Sequence, residues 1–398
     1  MSKRFLLGFV FAALVSGIAV SQQPDPRYMD QMSSAVRPWW YSLEQGKLYF
    51  RNGSYGDALL AFEDARRDRL AQFTRMESDM ILLLSNPYVR RLGDSLEYLE
   101  QYIVTNHETA AATALAELYH FISKDSLKGS SGRALEELGR LKSYPEAEYW
   151  LGETYRAEGE LTLALRQYNR AWENRALLEN PGFDTEILYK ITDIHRTRRE
   201  YQEMEKRATE IIEGTGLSGI PRDSLWVRNS TQGGASPVQA NQIRAAMARI
   251  LENEGVNRFL TLYRYNNTVT EKAHRLLGFF YYASSRYSPA AEHLMFAFLI
   301  QNTVLIEEMV RNQFDFTFTT LNDLVSRAQL RPELSSFLEE TEYYRTAYYL
   351  ASALSATGKS MPARELWVFL AGSGNAGEWG SRARRSPSPF LDRAIEMP

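Results

Sequence analysis

Few side chains in this sequence are of a type and spacing that do chemistry. Its five histidines are His107, His120, His195, His274 and His293. None stands in His-Glu-x-x-His or another close zinc spacing, so no metal centre is expected of them. There is no cysteine, which removes a thiol nucleophile, a disulfide and a thiolate ligand. No Gly-x-Ser-x-Gly elbow is present. Gly372 to Gly377 match Gly-x-Gly-x-x-Gly, but a dinucleotide fingerprint needs a strand before it, and a helical pattern precedes this one. Ala353 to Ser360 lacks the first glycine of a phosphate-binding loop and falls in a turn between helices. Glu339, Glu340 and Glu342 read as the solvated face of a helix. Arg382, Arg384 and Arg385, followed by Ser386-Pro387-Ser388-Pro389, read as a mobile basic end. No catalytic, cofactor-binding or metal-ligating residue is assigned, and the chain is expected not to be an enzyme.

The elements that would position a functional surface are helices. The chain has 398 residues, 44% hydrophobic and 24% charged, with a formal net charge of -3. That is the composition of a folded protein with no electrostatic demand for nucleic acid. Lys3 and Arg4 precede an apolar run from Phe5 to Val20, and Ala19-Val20-Ser21 offers small residues for cleavage before Gln22. Residues 1–21 are therefore expected to be a signal peptide, with an uncleaved anchor as the alternative. This predicts a periplasmic or secreted protein; without cysteine it is not a lipoprotein. No stable membrane insertion is expected after cleavage. Residues 22–38, with Pro24, Pro26 and Pro38, read as an extended lead. Apolar residues then recur with a period near 3.6, predicting helices over 39–213 and 238–372. Between them 214–237 is rich in Gly and reads as a linker or insertion. A basic tail is expected over 373–398.

The helices repeat. Gly46 is followed at offsets 3, 7, 9, 12, 16 and 19 by Tyr49, Gly53, Tyr55, Ala58, Phe62 and Ala65. The same offsets from Gly152 give Tyr155, Gly159, Leu161, Ala164, Tyr168 and Ala171. From Gly278 they give Tyr281, Ser285, Tyr287, Ala290, Leu294 and Ala297. Weaker copies run from Thr192 through His195, Arg199, Tyr201, Met204, Ala208 and Ile211, and from Ala351 through Leu354, Gly358, Ala363, Trp367 and Leu370. The small residues let two helices approach closely, the large ones fill the space between them, and the offset-7 residue sits at the turn.

This small-large-small pattern resembles the tetratricopeptide repeat (TPR) family, whose repeat is 34 residues. The resemblance implies an all-α fold, a right-handed solenoid of about eight or nine stacked antiparallel helix pairs. The matched copies are irregularly spaced, with degenerate pairs such as Met76 to Asn106 and Ala110 to Leu141 expected between them. It also implies a ligand-facing surface on the first helix of each pair. The positions are Trp40, Leu43, Lys47, Phe50 and Arg51 in the first copy. In the second they are Glu146, Tyr149, Glu153 and Arg156, and in the next Glu186, Tyr189, Asp193 and Arg196. Lys272, Arg275, Phe279 and Tyr282 follow, then Arg345, Tyr348 and Ser352. Recurring Tyr and Arg suit an interface, while packing within the superhelix is the competing role. The Lys-x-x-x-Asn pairing of a carboxylate clamp is missing.

The implied function is a non-catalytic scaffold of the cell envelope that binds an extended peptide or helix of a partner protein. Exported members of the family serve outer-membrane assembly, wall synthesis, secretion and motor collars, and the resemblance does not choose among them. A self-assembling structural subunit, with homo-oligomers, is the first alternative. An enzyme with its site in the irregular segments is the second.

Overall fold

A computed structural model describes residues 38–84, 138–180, 182–214 and 237–385. The expected signal peptide and His107 and His120 lie outside them, as do most of the lead and of the 214–237 segment. The described residues form fourteen α-helices and two short 3-10 turns, with no strand, so the protein is all-α. The chain divides into two compact units, Met1–Thr154 and Tyr155–Pro398. In the first, α1 (Trp39–Arg51) packs on α2 (Tyr55–Leu84). Most of α3 (Pro145–Ala157) belongs to it. Trp39 meets Tyr144 edge-on, and Arg69 lies over both rings while donating to the Leu141 carbonyl at 2.9 Å.

In the second unit, α4 (Leu161–Glu173) packs on α5 (Phe183–Thr197), and α5 on α6 (Tyr201–Glu213). Next come α7 (Pro237–Leu262), α8 (Thr268–Ala283) and α9 (Tyr287–Asn312). Helix α6 packs on α8, and α8 on α9. Two short helices, α10 (Leu321–Gln329) and α11 (Pro332–Glu340), precede α12 (Tyr343–Ala356) and α13 (Ser360–Gly372). Helix α12 packs on both α9 and α13.

The repeat seen in the sequence is a repeat of backbone geometry. In all five copies the offset-7 residue has positive φ: Gly53 76°, Gly159 84°, Arg199 59°, Ser285 60° and Gly358 80°. The amide after it bonds the carbonyl five residues back, at 2.8 to 2.9 Å, in Ser54–Tyr49, Glu160–Tyr155, Glu200–His195, Arg286–Tyr281 and Lys359–Leu354. This is the Schellman closure, which satisfies carbonyls left open at a helix end. Gly suits it without strain; Arg199 and Ser285 adopt it at a cost of order 1 kcal/mol. The offset-12 and offset-19 residues are buried in every copy, from Ala58 and Ala65 to Ala363 and Leu370. At Gly46 and Gly278 a side chain would collide with the partner helix: a Cβ on Gly278 would stand 2.5 Å from Leu294 Cγ.

Helix α9 is long and apolar enough to cross a membrane, but 72% of its apolar window is buried inside this fold. Its middle carries three fully buried polar residues, Gln301, Asn302 and Thr303. Gln301 donates to Glu271 (2.7 Å) and to the Thr341 carbonyl (2.9 Å), and Asn302 accepts from the Tyr343 hydroxyl (2.9 Å). Thr303 accepts from the Tyr265 amide at 3.0 Å. Buried polar groups need such partners. This run therefore fixes α9 against the helices and loops on either side of it.

Helix α7 breaks at Gly255, where φ is 83° and ψ 179°. The Glu365 carboxylate of α13 enters the break and accepts from the amides of Val256 (2.6 Å) and Asn257 (3.3 Å). An acid at a new helix start satisfies open donors and the positive end of the helix dipole. Glu365→Ala should therefore cost about 1–2 kcal/mol in chemical denaturation; a loss below a few tenths would show the cap to be idle.

The expected tail differs at its beginning. Residues Gly374–Ala376 form a 3-10 turn and Gly377–Arg385 a helix, α14, packed on α12 and α13. Trp379 drives this docking: its ring lies 5.4 Å from Tyr348 and 5.7 Å from Tyr349. Residues 386–398 lie outside the described residues.

Candidate partner-binding surface

The structure divides the expected ligand-facing residues by exposure. Trp40 is 38% exposed, and Lys47 pairs with Glu44 at 2.6 Å and stands 6.0 Å from the Trp150 ring centre. Tyr149 and Glu153 are only 3% and 7% exposed. Arg156 and Arg196 are exposed, and Tyr189 and Asp193 half-buried. Of the later copies, Arg275 and Arg345 are half-buried, while Phe279, Tyr282 and Tyr348 are buried.

Five of them, Arg156, Glu186, Tyr189, Asp193 and Lys272, meet at one open cleft of about 490 Å³ between α5 and the start of α8. Lys272 lines it from α8, and Lys190, which the sequence pattern did not single out, from α5. Lys272 bonds Asp193 at 2.9 Å and lies 5.0 Å from the Tyr189 ring centre. Arg196 reaches Asp193 at 3.7 Å. Tyr189 also holds the cleft together: its hydroxyl donates to the Val269 carbonyl (2.6 Å) and accepts from the Ala273 amide (3.1 Å). Burial pushes that phenol well above its ordinary value, so it stays a neutral hydrogen-bonding group. The cleft is lined by three cations and two carboxylates. Asp193 is shared by Lys272 and Arg196, so four cations stand around two carboxylates, a net cationic excess.

The residues of the last two copies form a second cluster. Glu342 accepts from both Arg275 and Arg345, the latter at 2.6 Å. Arg345 stacks on the Phe279 ring at 4.5 Å, and Tyr282 meets Tyr349 edge-on at 5.0 Å. By its local sequence Glu342 belongs on a solvated helix face. It instead sits between α11 and α12 with φ 48°, and its carboxylate bridges two helices. Its arginine partners lie 67 and 3 residues away, and no local pattern announces the distant one.

Glu271 lies at the back of this cluster, bonded to Arg275 at 3.0 Å and to Gln301. Burial raises its carboxyl above 4.5, and Arg275 and Gln301 only partly oppose this. A carboxyl raised in the folded state loses stability as pH climbs from the unfolded value through the folded one. Glu271→Gln keeps the hydrogen bonds and removes the charge. The variant should therefore gain in Tm relative to the parent on going from pH 4.5 to pH 7. A parent that gains over the variant in that window would show the ion pair to dominate.

The other residues weighed for chemistry have polar partners or helical surroundings within the fold. His195 bonds Glu200 at 2.6 Å beside its hairpin turn, and His274 meets His293 at 3.1 Å in an aromatic cluster. Ala353 to Ser360 runs from the last turn of α12 through the turn into α13, and Gly372 ends a helix rather than a strand.

Fold and surface together define an all-α protein of helix hairpins with a mixed-charge, aromatic cleft. No protein-family model matches the chain. It is similar to an uncharacterized protein of Treponema pallidum (strain Nichols), 23% identical over 344 residues, which covers 86% of this chain and 88% of that one. It is also similar to an uncharacterized protein of Borreliella burgdorferi, 21% identical over 240 residues, 59% of this chain and 73% of that one.

Proposed function

We propose that the protein is a non-catalytic, TPR-like scaffold of the cell envelope that binds a partner protein in the cleft between α5 and α8. The observation that carries this reading is the convergence of Arg156, Tyr189, Asp193 and Lys272 on one open cleft. It is framed by hairpins whose turns share one geometry. Equivalent positions of stacked hairpins line one continuous surface. Tyr and Arg are the residues that most often anchor partners. The cationic excess favours a segment carrying Asp or Glu. The basic and apolar N-terminal run supports export to the periplasm or beyond.

A photo-crosslinking amino acid at Arg196, on the α5 side of the cleft, tests the proposal in the native organism. Glu203, exposed on α6, serves as the control position. One discrete protein adduct from position 196 and none from 203 is the expected result. Equal, diffuse labelling from both positions would contradict it. An adduct to a second copy of the chain would favour the self-assembling subunit instead.

A further inference from the structure

We infer that the cavity beside α14 is a second binding site, one that takes an arginine or lysine side chain presented by a partner protein. The cavity has a volume of about 740 Å³ and lies where α11 ends, α12 begins and α14 folds back. It shares no lining residue with the α5–α8 cleft, and its fate is independent of that reading.

Four rings line the cavity, the half-buried Tyr344 and Trp379 and the buried Tyr343 and Tyr349. Tyr344 is held by Gln329, whose amide reaches its hydroxyl at 2.5 Å, and Trp379 is packed against Tyr349. Fixed aromatic faces attract a cation through the ring quadrupole. The cavity already uses this attraction once, since Arg382 lies 4.7 Å from the Trp379 ring centre.

Three carboxylates stand among the rings: Glu339, Glu342 and Glu378. Two are neutralised within the chain, Glu342 by Arg275 and Arg345, and Glu378 by Arg382 at 3.1 Å. Glu339 has no cationic partner among the described residues, and neither has Glu340 beside it. Both lie in the last turn of α11, which has no basic residue to balance them. The end of a helix is its negative pole, so two unpaired acids there repel both the pole and each other. One residue later, after Thr341, comes the left-handed Glu342, a conformation that costs a non-glycine residue energy. A cation entering between Glu339 and the rings relieves the repulsion at this junction.

The cavity is several times larger than a guanidinium group and open to solvent. The backbone beside a protein side chain fills what a free small cation leaves empty, which selects a protein segment as occupant.

The test is a titration of the full-length protein followed by NMR at the Trp379 indole N–H, assigned by its loss in Trp379→Phe. Acetyl-Gly-Arg-Gly-amide is compared with its neutral citrulline counterpart. The arginine peptide should bind saturably and about tenfold more tightly, the combined worth of one cation–π contact and one ion pair. Glu339→Gln, at an exposed position, should weaken it about threefold with Tm unchanged. Equal affinity for the two peptides, or no effect of Glu339→Gln, would overturn the inference. Spermidine binding as tightly as the arginine peptide would reassign the site to a free polyamine and overturn the protein partner.

Discussion

Replacing Gly278 with alanine should destabilise the protein by about 1–3 kcal/mol, although alanine is the better helix former. A Cβ there would stand 2.5 Å from Leu294 Cγ and 3.2 Å from the Leu294 backbone nitrogen. The clash is therefore between two helices and not with the free end of one side chain. Leu294→Ala alone should cost about 2–5 kcal/mol through the cavity it leaves, since Leu294 is fully buried. The informative quantity is the double variant. The methyl group introduced by Gly278→Ala would occupy part of the space that Leu294 vacates, so the combined loss should fall short of the sum by about 1 kcal/mol or more. Strict additivity in chemical denaturation would mean that the two positions are not the facing pair of a hairpin.

Tyr149→Ala should lower stability by about 3–5 kcal/mol, the cost of truncating a buried aromatic. The family resemblance makes Tyr149 a ligand-facing residue, yet it is 3% exposed and set edge-on to Trp150 at 5.6 Å. A side chain so enclosed acts on a partner only through the packing beneath it. Thermal unfolding of the variant checks this, and a Tm within a degree of the parent would restore Tyr149 to the surface.

The hairpins were legible in the sequence because their constraints are local. A left-handed residue at the turn, and small residues where two helices touch, must recur at fixed offsets, and they do from Gly53 to Gly358. The surface was legible only in part, since periodicity assigns a residue to a face but not to a degree of cover. Tyr189 and Arg156 reach a cleft, while Tyr282 and Tyr348, at equally patterned positions, are enclosed by the aromatic cluster around Tyr349. Interactions between distant segments left no signature. Glu342 joins Arg275 across 67 residues, and Glu365 caps a helix break more than a hundred residues earlier in the chain. Helix α14 was hidden because Gly and Arg dominate its sequence; Trp379 was the one apolar clue to its docking.

The most direct test of the central claim is the affinity of the cross-linked partner, once purified, for variants of the cleft. Calorimetry on Arg156→Ala and Lys272→Ala should show binding weakened by about 1–2 kcal/mol each, as interface anchors do. Both residues are exposed, so the Tm of each variant should stay near that of the parent. Unchanged affinity in both variants would contradict the placement of the partner in this cleft.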